Sequence, residues 1–232
     1  GRVRLHPRER GSFVRRRGEL CQAGSALAGV GDVVTPQLIA LLGAAGAVRV
    51  SVTPRPRVAV VSTGSELVPI DESPAQGRIR DRNQVMLTAL ARRARFPIAR
   101  CARVPDELPA LRNGIREAAS EADLVLTTGG VSVGDHDLVP RALEELGAKL
   151  LFHKLPIRPG KPILGARLAS IWIIGLPGNP VSAMAGWCLF ARPLGEVLAG
   201  ERNALRRPPE TGVLTGPAEN RGGRVVLAPA CV

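Results

Sequence analysis

The sequence predicts an α/β domain with a mostly parallel, doubly wound sheet, flanked by partial smaller domains, the C-terminal one β. Three observations predict it. Between residues 55 and 205, continuous runs of Val, Leu and Ile alternate with amphipathic segments. Such runs are typical of parallel strands buried on both faces, and the segments between them of covering helices. Pro54-Arg55-Pro56 marks a linker before this region, and residues 206–232 are rich in Pro and Gly.

The strands and helices of the α/β region follow one another in order. Buried runs predict strands over Arg57–Ser62, Ile98–Val104, Asp123–Thr128 and Lys149–Leu155, then a hairpin over Pro162–Leu168 and Ile171–Gly175. Amphipathic segments predict helices over Gln84–Arg95, Glu107–Ala119, Leu138–Leu146 and Val181–Leu198. Asn83 is expected to cap the first helix, and the last is expected to bend or break at Pro193.

The flanking segments predict parts of further domains. Residues 1–19 carry seven arginines and are too polar for a core, so we interpret them as the remnant of an upstream β-rich domain. In residues 20–54, Thr35-Pro36 predicts a helix start, and a strand is expected over Val48–Val52. Residues 206–232 are expected to begin a C-terminal β domain.

Composition narrows the classes of function. The chain has 32 Lys and Arg against 20 Asp and Glu, a formal net charge of +12, which suits an anionic ligand. Nucleic acid is disfavoured because aromatic residues make up 3% of the chain, with no Tyr, so bases would lack a stacking platform. The four cysteines have no paired spacing, and no apolar run reaches the length of a bilayer span. We therefore expect a cytoplasmic protein without a membrane segment.

The first chemically unusual strand end is Ser62-Thr63-Gly64-Ser65-Glu66-Leu67. In an open parallel sheet, ligands bind outside the carboxyl ends of the strands. Gly64 would let the backbone approach a ligand, and Glu66 can hold a cation or accept a hydrogen bond. Taken alone, the segment is better interpreted as an ordinary turn with a solvated Glu.

The second strand end, TTGGVSVGDHD over residues 127–137, follows a buried strand and precedes a helix. Gly129 and Gly130 let successive N–H groups converge on an anion, and the helix start adds positive potential. Asp135 and Asp137 stand where a divalent cation can bridge to phosphate oxygens. The spacing is neither the dinucleotide fingerprint nor a P-loop. A glycine turn with an Asp helix cap is the structural alternative.

The third strand end combines PGKP at 159–162 with GLPGNPVS at 175–182. Two prolines around Gly178-Asn179 predict a rigid loop at a helix start, with N–H groups that can receive an anion. Lys161 supplies a point charge for a phosphate or an oxyanion. Each loop alone also fits a structural turn, but three such ends on one sheet favour a site for a phosphorylated small molecule.

Together these motifs resemble a known family. STGSEL, RDRN, TTGGVSVGDHD, RPGKP and GLPGNPVSA, in this order and spacing, are similar to the molybdopterin molybdenumtransferase family, which includes the E domain of gephyrin, over roughly residues 12–205. The resemblance implies a molybdopterin-binding-like fold. It implies an enzyme of molybdenum cofactor biosynthesis that inserts molybdate into adenylylated molybdopterin, with Mg²⁺, and releases AMP. It also implies a homodimer, in which residues 20–54 are part of the dimer-forming domain.

The resemblance assigns roles to residues at the strand ends. Glu66 and Asp137 are expected to hold Mg²⁺ and, with Lys161, to act in catalysis. The molybdopterin, molybdate and nucleotide groups are expected to contact Gly64, Asp81, Asn83, Gly129, Gly130, Val131, Ser132, Gly134, Asp135, Lys154, Arg158, Pro159, Gly160, Pro177, Gly178, Asn179, Pro180 and Ser182. Proteins that adenylylate molybdopterin or receive the finished cofactor are the implied partners.

Four positions depart from the family pattern. Ser65 and Leu20 replace acidic residues, Arg80 replaces an aromatic residue before Asp81, and Arg158 stands where Lys is common. A carboxylate lost beside a metal removes a ligand or a group that orients one. Two alternatives therefore stay open. One is a module that binds molybdopterin or a protein partner without turnover, and the other is a molybdopterin adenylyltransferase built from the α/β domain alone.

Overall fold

The computed structural model describes residues 15–130 and 137–201, and also 204–205, 211, 216, 220 and 222–227. The chain divides into two units, Gly1–Val52 and Thr53–Val232. Helix α1 (Pro36–Ala44) of the first unit begins after Thr35, whose Oγ1 accepts a hydrogen bond from Leu38 N–H at 3.2 Å. No residue in the described part of this unit is buried. The predicted strand over Val48–Val52 is wrong, because these residues have no strand to pair with in the described part of the chain.

The second unit contains ten strands in its described residues. In chain order they are β1 (Val58–Thr63), β2 (Leu67–Val68), β3 (Ile79–Arg80), β4 (Ile98–Val104), β5 (Leu124–Thr128), β6 (Lys149–His153), β7 (Ile157–Arg158), β8 (Leu164–Leu168), β9 (Ile171–Leu176) and β10 (Val225–Val226). Six of them form one sheet in the order β4-β1-β5-β9-β8-β6. The first four run parallel, and β8 and β6 are antiparallel to their neighbours. The two short pairs β2–β3 and β7–β10 are parallel.

Helices cover both faces of the six-stranded sheet. They are α2 (Arg82–Arg93), α3 (Leu108–Glu121), α4 (Leu138–Glu145), α5 (Pro180–Gly186) and α6 (Arg192–Leu198). Successive residues of a strand point to opposite faces, so Val61 packs with Leu111 of α3, whereas Val60 packs with Leu87 of α2. The predicted mostly parallel, doubly wound fold is confirmed. No helix in the described residues has the length and apolar character to cross a membrane.

Of two local predictions about the helices, one is wrong and one is confirmed. Asp81, not Asn83, caps α2, because its side chain accepts a hydrogen bond from Gln84 N–H at 3.0 Å. The last helix is interrupted next to Pro193, as predicted. A π-helical turn over Trp187–Ala191 separates α5 from α6, and Pro193 is the second residue of α6. The regular α-helical hydrogen bonds are lost in the turn before a proline, because its ring removes one N–H donor and clashes with the carbonyl four residues earlier.

The strand register aligns the three predicted motifs along one edge of the sheet. Ser62 of β1 pairs with Thr128 of β5, and Thr128 pairs with Leu176 of β9. Because β8 runs in the opposite direction, Leu164 near its start pairs with His153 at the end of β6. The loops that follow β1, β5, β9 and β6 therefore leave the sheet at the same edge.

Candidate functional site

Gly129 is the point at which three of these loops come together. Its φ is +91°, and a Cβ atom on it would lie 2.2 Å from the carbonyl oxygen of Thr63. Its N–H donates a hydrogen bond to the Leu176 carbonyl at 3.1 Å. A Cβ atom on Gly178 would lie 3.9 Å from the Gly129 Cα. Only glycine allows this positive φ together with so close a backbone approach.

A small pocket that is open to solvent lies beside this contact. Five predicted residues line it, namely Glu66, Asp81, Asn83, Gly129 and Gly178. Six further lining residues were not predicted: Thr63, Leu67, Ile79, Arg80, Arg82 and Thr128. All six stand in or next to the quoted motifs, so proximity to a motif glycine or to Asp81 is the signal that could have found them.

Asn83 ties two walls of the pocket together. Its side chain is buried, and its Nδ2 donates hydrogen bonds to Thr128 Oγ1 at 2.8 Å and to the Gly178 carbonyl at 2.7 Å. The Thr128 hydroxyl donates in turn to the Pro177 carbonyl at 3.3 Å. The Oδ1 atom of Asn83 is buried without a hydrogen-bond partner in the described part of the chain. Helix α2 therefore sets the separation between the loops after β5 and β9.

Asp81 accepts a hydrogen bond on one carboxylate oxygen, and its other oxygen, Oδ2, is buried with no hydrogen-bond partner in the described residues. Its side chain is 2% exposed. One oxygen caps α2 through Gln84, and the other lies 3.4 Å from the Nε of Arg103. Asp81 thus lines the pocket as a carboxylate whose charge is already paired. Its predicted contact with the molybdopterin, molybdate and nucleotide groups stays a prediction.

Ser65 helps to fix the loop after β1. Its hydroxyl accepts a hydrogen bond from Asp106 N–H at 3.3 Å, and its carbonyl accepts one from Arg78. Thr63 Oγ1 donates to Asp106 Oδ1 at 2.5 Å. Glu66 is exposed where it lines the pocket. The serine at the position of a family carboxylate is therefore part of the loop's own hydrogen bonding.

The same loop depends on the small size of Gly64, which is buried. A Cβ atom there would lie 2.8 Å from both Glu66 Oε2 and Leu67 Cγ. The Leu67 N–H also donates to the Gly64 carbonyl at 3.1 Å. Gly64 thus lets the chain turn tightly enough to bring Glu66 back over the strand end.

Asp137 lies against His153 and is not among the residues that line the pocket. Its Oδ2 is 3.4 Å from His153 Nε2, and its Oδ1 is buried with no hydrogen-bond partner in the described residues. Burial raises the pKa of Asp137, although the charges of His153 and Lys154 act to lower it. His153 was not predicted, because a lone His at the end of a strand gives no signal of a carboxylate partner.

Three predicted cations are exposed on the loop after β6: Lys154, Arg158 and Lys161. Lys154 has a φ of +63°, a left-handed conformation that is uncommon outside glycine. The Lys161 carbonyl accepts a hydrogen bond from Leu155 N–H at 2.8 Å, which closes the loop. Within it, a cis peptide bond precedes Pro159, and Gly160 is buried with a φ of +114°. The charged groups of this loop face solvent.

The loop after β9 leads directly into α5, as predicted, but its N–H groups are less free than expected. Asn179 caps the helix, and its Oδ1 accepts hydrogen bonds from Val181 N–H at 2.9 Å and Ser182 N–H at 3.4 Å. Pro180, the first helical residue, has no N–H to offer. Pro177 and Ser182 are both buried. The first turn of α5 is therefore largely satisfied by its own cap.

The comparisons with known proteins agree with this geometry. Residues 59–196 match the family described as "Probable molybdopterin binding domain". The chain belongs to this family. The matched segment runs from β1 into α6 and so contains the whole six-stranded sheet of the molybdopterin-binding domain together with all three strand-end motifs.

Relatives extend the match beyond the domain. Molybdopterin molybdenumtransferase of Bacillus subtilis is 37% identical over 184 residues, which cover 79% of this chain and 43% of that protein. The Nostoc protein of the same name is 39% identical over 194 residues, 82% of this chain and 44% of its own. A molybdopterin biosynthesis protein from Pyrococcus horikoshii has a crystal structure that matches with a TM-score of 0.68 and 30% identity, covering 79% and 46% of the two chains. The chain thus spans less than half the length of these relatives.

The predicted Mg²⁺ ligands of the molybdopterin-binding domain lie in two places. Glu66 lines the pocket, whereas Asp137 contacts His153. No cluster of three or more His, Cys, Asp or Glu side chains in the described residues could hold a metal ion. The buried, unpaired Oδ1 of Asp137 is nevertheless the kind of oxygen donor that Mg²⁺ prefers. Four predicted contact residues lie outside the described part of the chain: Val131, Ser132, Gly134 and Asp135.

Proposed function

We propose that this chain is the molybdopterin-binding part of a molybdenumtransferase that inserts molybdate into adenylylated molybdopterin and releases AMP. One observation carries the proposal. The loops after β1, β5 and β9 meet at Gly129 beside a pocket lined by Glu66, Asp81 and Asn83. In a parallel sheet this edge is where ligands bind. The identity to proteins named molybdopterin molybdenumtransferase supports the choice of substrate.

The reaction requires the protein mainly to position the two substrates and to compensate their negative charges. Cleavage of the adenylate needs the phosphoanhydride and molybdate to be held together with their negative charges compensated. The exposed cations Lys154, Arg158 and Lys161 would attract molybdate and phosphate oxygens. Mg²⁺ would take the unpaired Oδ1 of Asp137 as a ligand and would supply further charge neutralisation when bound, whereas Glu66, which lies apart at the pocket, stays a predicted ligand. Asn83 would keep the glycine loops at a constant separation around the substrate.

The proposal includes a homodimer in the cytoplasm and contacts with proteins that adenylylate molybdopterin or accept the cofactor. The described part of Gly1–Val52 supports the dimer. It exposes apolar side chains with no buried residue beneath them, among them Val33, Ile39 and Val50. A second copy would bury this surface, as the resemblance to the family implies for residues 20–54.

A reconstituted reaction tests the proposed function. The chain is incubated with adenylylated molybdopterin, molybdate and Mg²⁺, and both AMP release and cofactor formation are followed. We expect AMP release that depends on molybdate. Tight substrate binding without AMP release would contradict the enzyme and identify a binding module. Incorporation of AMP from ATP would instead identify an adenylyltransferase.

An Asp137→Ala variant tests the assignment of that carboxylate in the same reaction. We expect turnover to fall much more than substrate affinity, because the Asp137 carboxylate would hold the Mg²⁺ that neutralises charge during the reaction. Asp123→Ala is the matched control. Asp123 immediately precedes β5 at the opposite edge of the sheet, where it pairs with Arg57. Full activity in the Asp137→Ala variant would show that Asp137 has no role in the reaction.

A further inference from the structure

Two arginines line the pocket, Arg80 and Arg82, and the first of them departs from the family pattern. Arg80 ends β3 and Arg82 begins α2, so they flank the buried Asp81 on both sides. Both arginines are exposed. Arg80 stands where the family resemblance leads one to expect an aromatic side chain. A ring at that position would offer stacking, whereas a guanidinium offers charge and a planar set of donors.

The guanidinium of Arg80 is anchored on one side only. Its Nε donates a hydrogen bond to the Ile70 carbonyl at 3.0 Å. Within the described residues its two terminal nitrogens have no partner, and neither has the guanidinium of Arg82. Most of the donors of both side chains therefore remain available at the mouth of the pocket.

The neighbouring acids do not neutralise these two arginines. Asp81 lies between them in sequence, but its carboxylate caps α2 and pairs with Arg103 at 3.4 Å. Glu66 is the remaining acid among the described lining residues. The lining thus holds two unpaired positive charges against one unpaired negative charge. Both arginines also stand at the N-terminal end of the twelve-residue helix α2, where the helix dipole favours an anion.

We propose that Arg80 and Arg82 hold a phosphoryl group in this pocket and that it is the phosphate of a nucleotide. A guanidinium presents parallel N–H donors that match two phosphate oxygens, and charge-assisted bonds of this kind are the strong ones. The inference rests on the proposed function, in which that nucleotide phosphate is the AMP moiety of the substrate. Arg80 and Arg82 then determine which end of the substrate enters the pocket.

Direct binding measurements test this inference. AMP, pyrophosphate and inorganic phosphate are titrated separately into the full chain by calorimetry, at several salt concentrations. The variants are Arg80→Gln, Arg82→Gln and the double substitution. We expect each single variant to weaken AMP binding by about tenfold, the effect of one charge-assisted hydrogen bond. The double variant should weaken it further and flatten the dependence on salt.

Arg92→Gln/Arg93→Gln is the matched control, because it removes two exposed charges from the last turn of the same helix. We expect it to leave AMP affinity within about twofold, since exposed charges beyond a Debye length are largely screened. Unchanged AMP binding in the Arg80→Gln/Arg82→Gln variant would overturn the inference. Equal losses in the control would also overturn it. Thermal unfolding of every variant shows whether a loss of binding reflects a loss of folding.

The three probes separate the possible sources of the phosphoryl group. Tighter binding of AMP than of inorganic phosphate, lost in the double variant, supports the nucleotide. Equal binding of both would overturn the assignment to a nucleotide. These experiments measure binding and not turnover. AMP binding that depends on Arg80 and Arg82 would therefore support the inference even if the chain showed no molybdate-dependent AMP release. Conversely, AMP release would support the proposed function even if substitution of these arginines left AMP binding unchanged.

Discussion

The walls of the pocket and the basic loop after β6 carry the two halves of the predicted site, and they are built differently. The walls are held by the backbone contact at Gly129 and by the buried amide of Asn83. The functional groups of the loop are charged side chains that face solvent, namely Lys154, Arg158 and Lys161. The protein itself therefore determines the shape of the pocket. The cations are free to adjust to an anion when one binds.

This difference has a measurable consequence. Substitutions in the walls should lower the free energy of unfolding, because they remove close packing or buried hydrogen bonds. Substitutions in the loop should leave the free energy of unfolding almost unchanged and affect the reaction instead.

Gly129→Ala should have the largest effect. The new Cβ would lie 2.2 Å from the Thr63 carbonyl oxygen, on a residue with a φ of +91°. Left-handed backbone strain and overpacking together should cost about 3 kcal/mol or more, measured by urea denaturation. Gly147→Ala is the control, because Gly147 has a φ of +73° but no atom within 4 Å of a Cβ. It should cost about 1 kcal/mol. Equal losses in the two variants would show that the backbone contact at Gly129 is unimportant.

Asn83→Ala should come second. The change removes hydrogen bonds of 2.8 and 2.7 Å and leaves the Gly178 carbonyl without this donor. We expect a loss of about 2 kcal/mol in the free energy of unfolding. Asn113→Ala provides a control on α3, because the Asn113 side chain bonds only to the exposed Arg116 in the described structure. A loss below about 0.5 kcal/mol for Asn83→Ala would mean that the walls are held by packing alone.

The contrast at the start of α2 shows what could be predicted from sequence. The strands of the six-stranded sheet and the three strand-end motifs were predictable, because apolar runs and glycine turns are local signals. In contrast, the sequence does not predict that Asp81 rather than Asn83 caps α2. Both residue types cap helices well, and the decision depends on partners of Asn83 that lie 45 and 95 residues away. The contact between Asp137 and His153 is similarly non-local.

Asp137→Asn should have a smaller effect of opposite sign. Burial raises the pKa of Asp137 above its ordinary value of 3.8. As the pH rises from 3.8 through the raised pKa, the folded protein retains a proton that the unfolded chain has lost, so stability falls. The Asn variant lacks this dependence and should gain stability relative to the wild type over that pH range. Urea denaturation at a series of pH values tests the sign. If the free energy of unfolding changed with pH in the same way for both proteins, the raised pKa of Asp137 would be contradicted.

Lys161→Ala should have the smallest effect on unfolding and the clearest effect on the reaction. The side chain is exposed, and the hydrogen bond that closes the loop uses the Lys161 carbonyl, which alanine retains. The free energy of unfolding should therefore stay within about 0.5 kcal/mol of the wild type. Molybdate-dependent AMP release should fall by about tenfold or more, because a charge that compensates an anion is lost. Lys149→Ala removes an exposed charge from the other end of β6 and should change neither quantity. If Lys161→Ala instead destabilises the fold as much as Asn83→Ala does, the loop is a structural element like the walls, and the distinction between the two halves of the site does not hold.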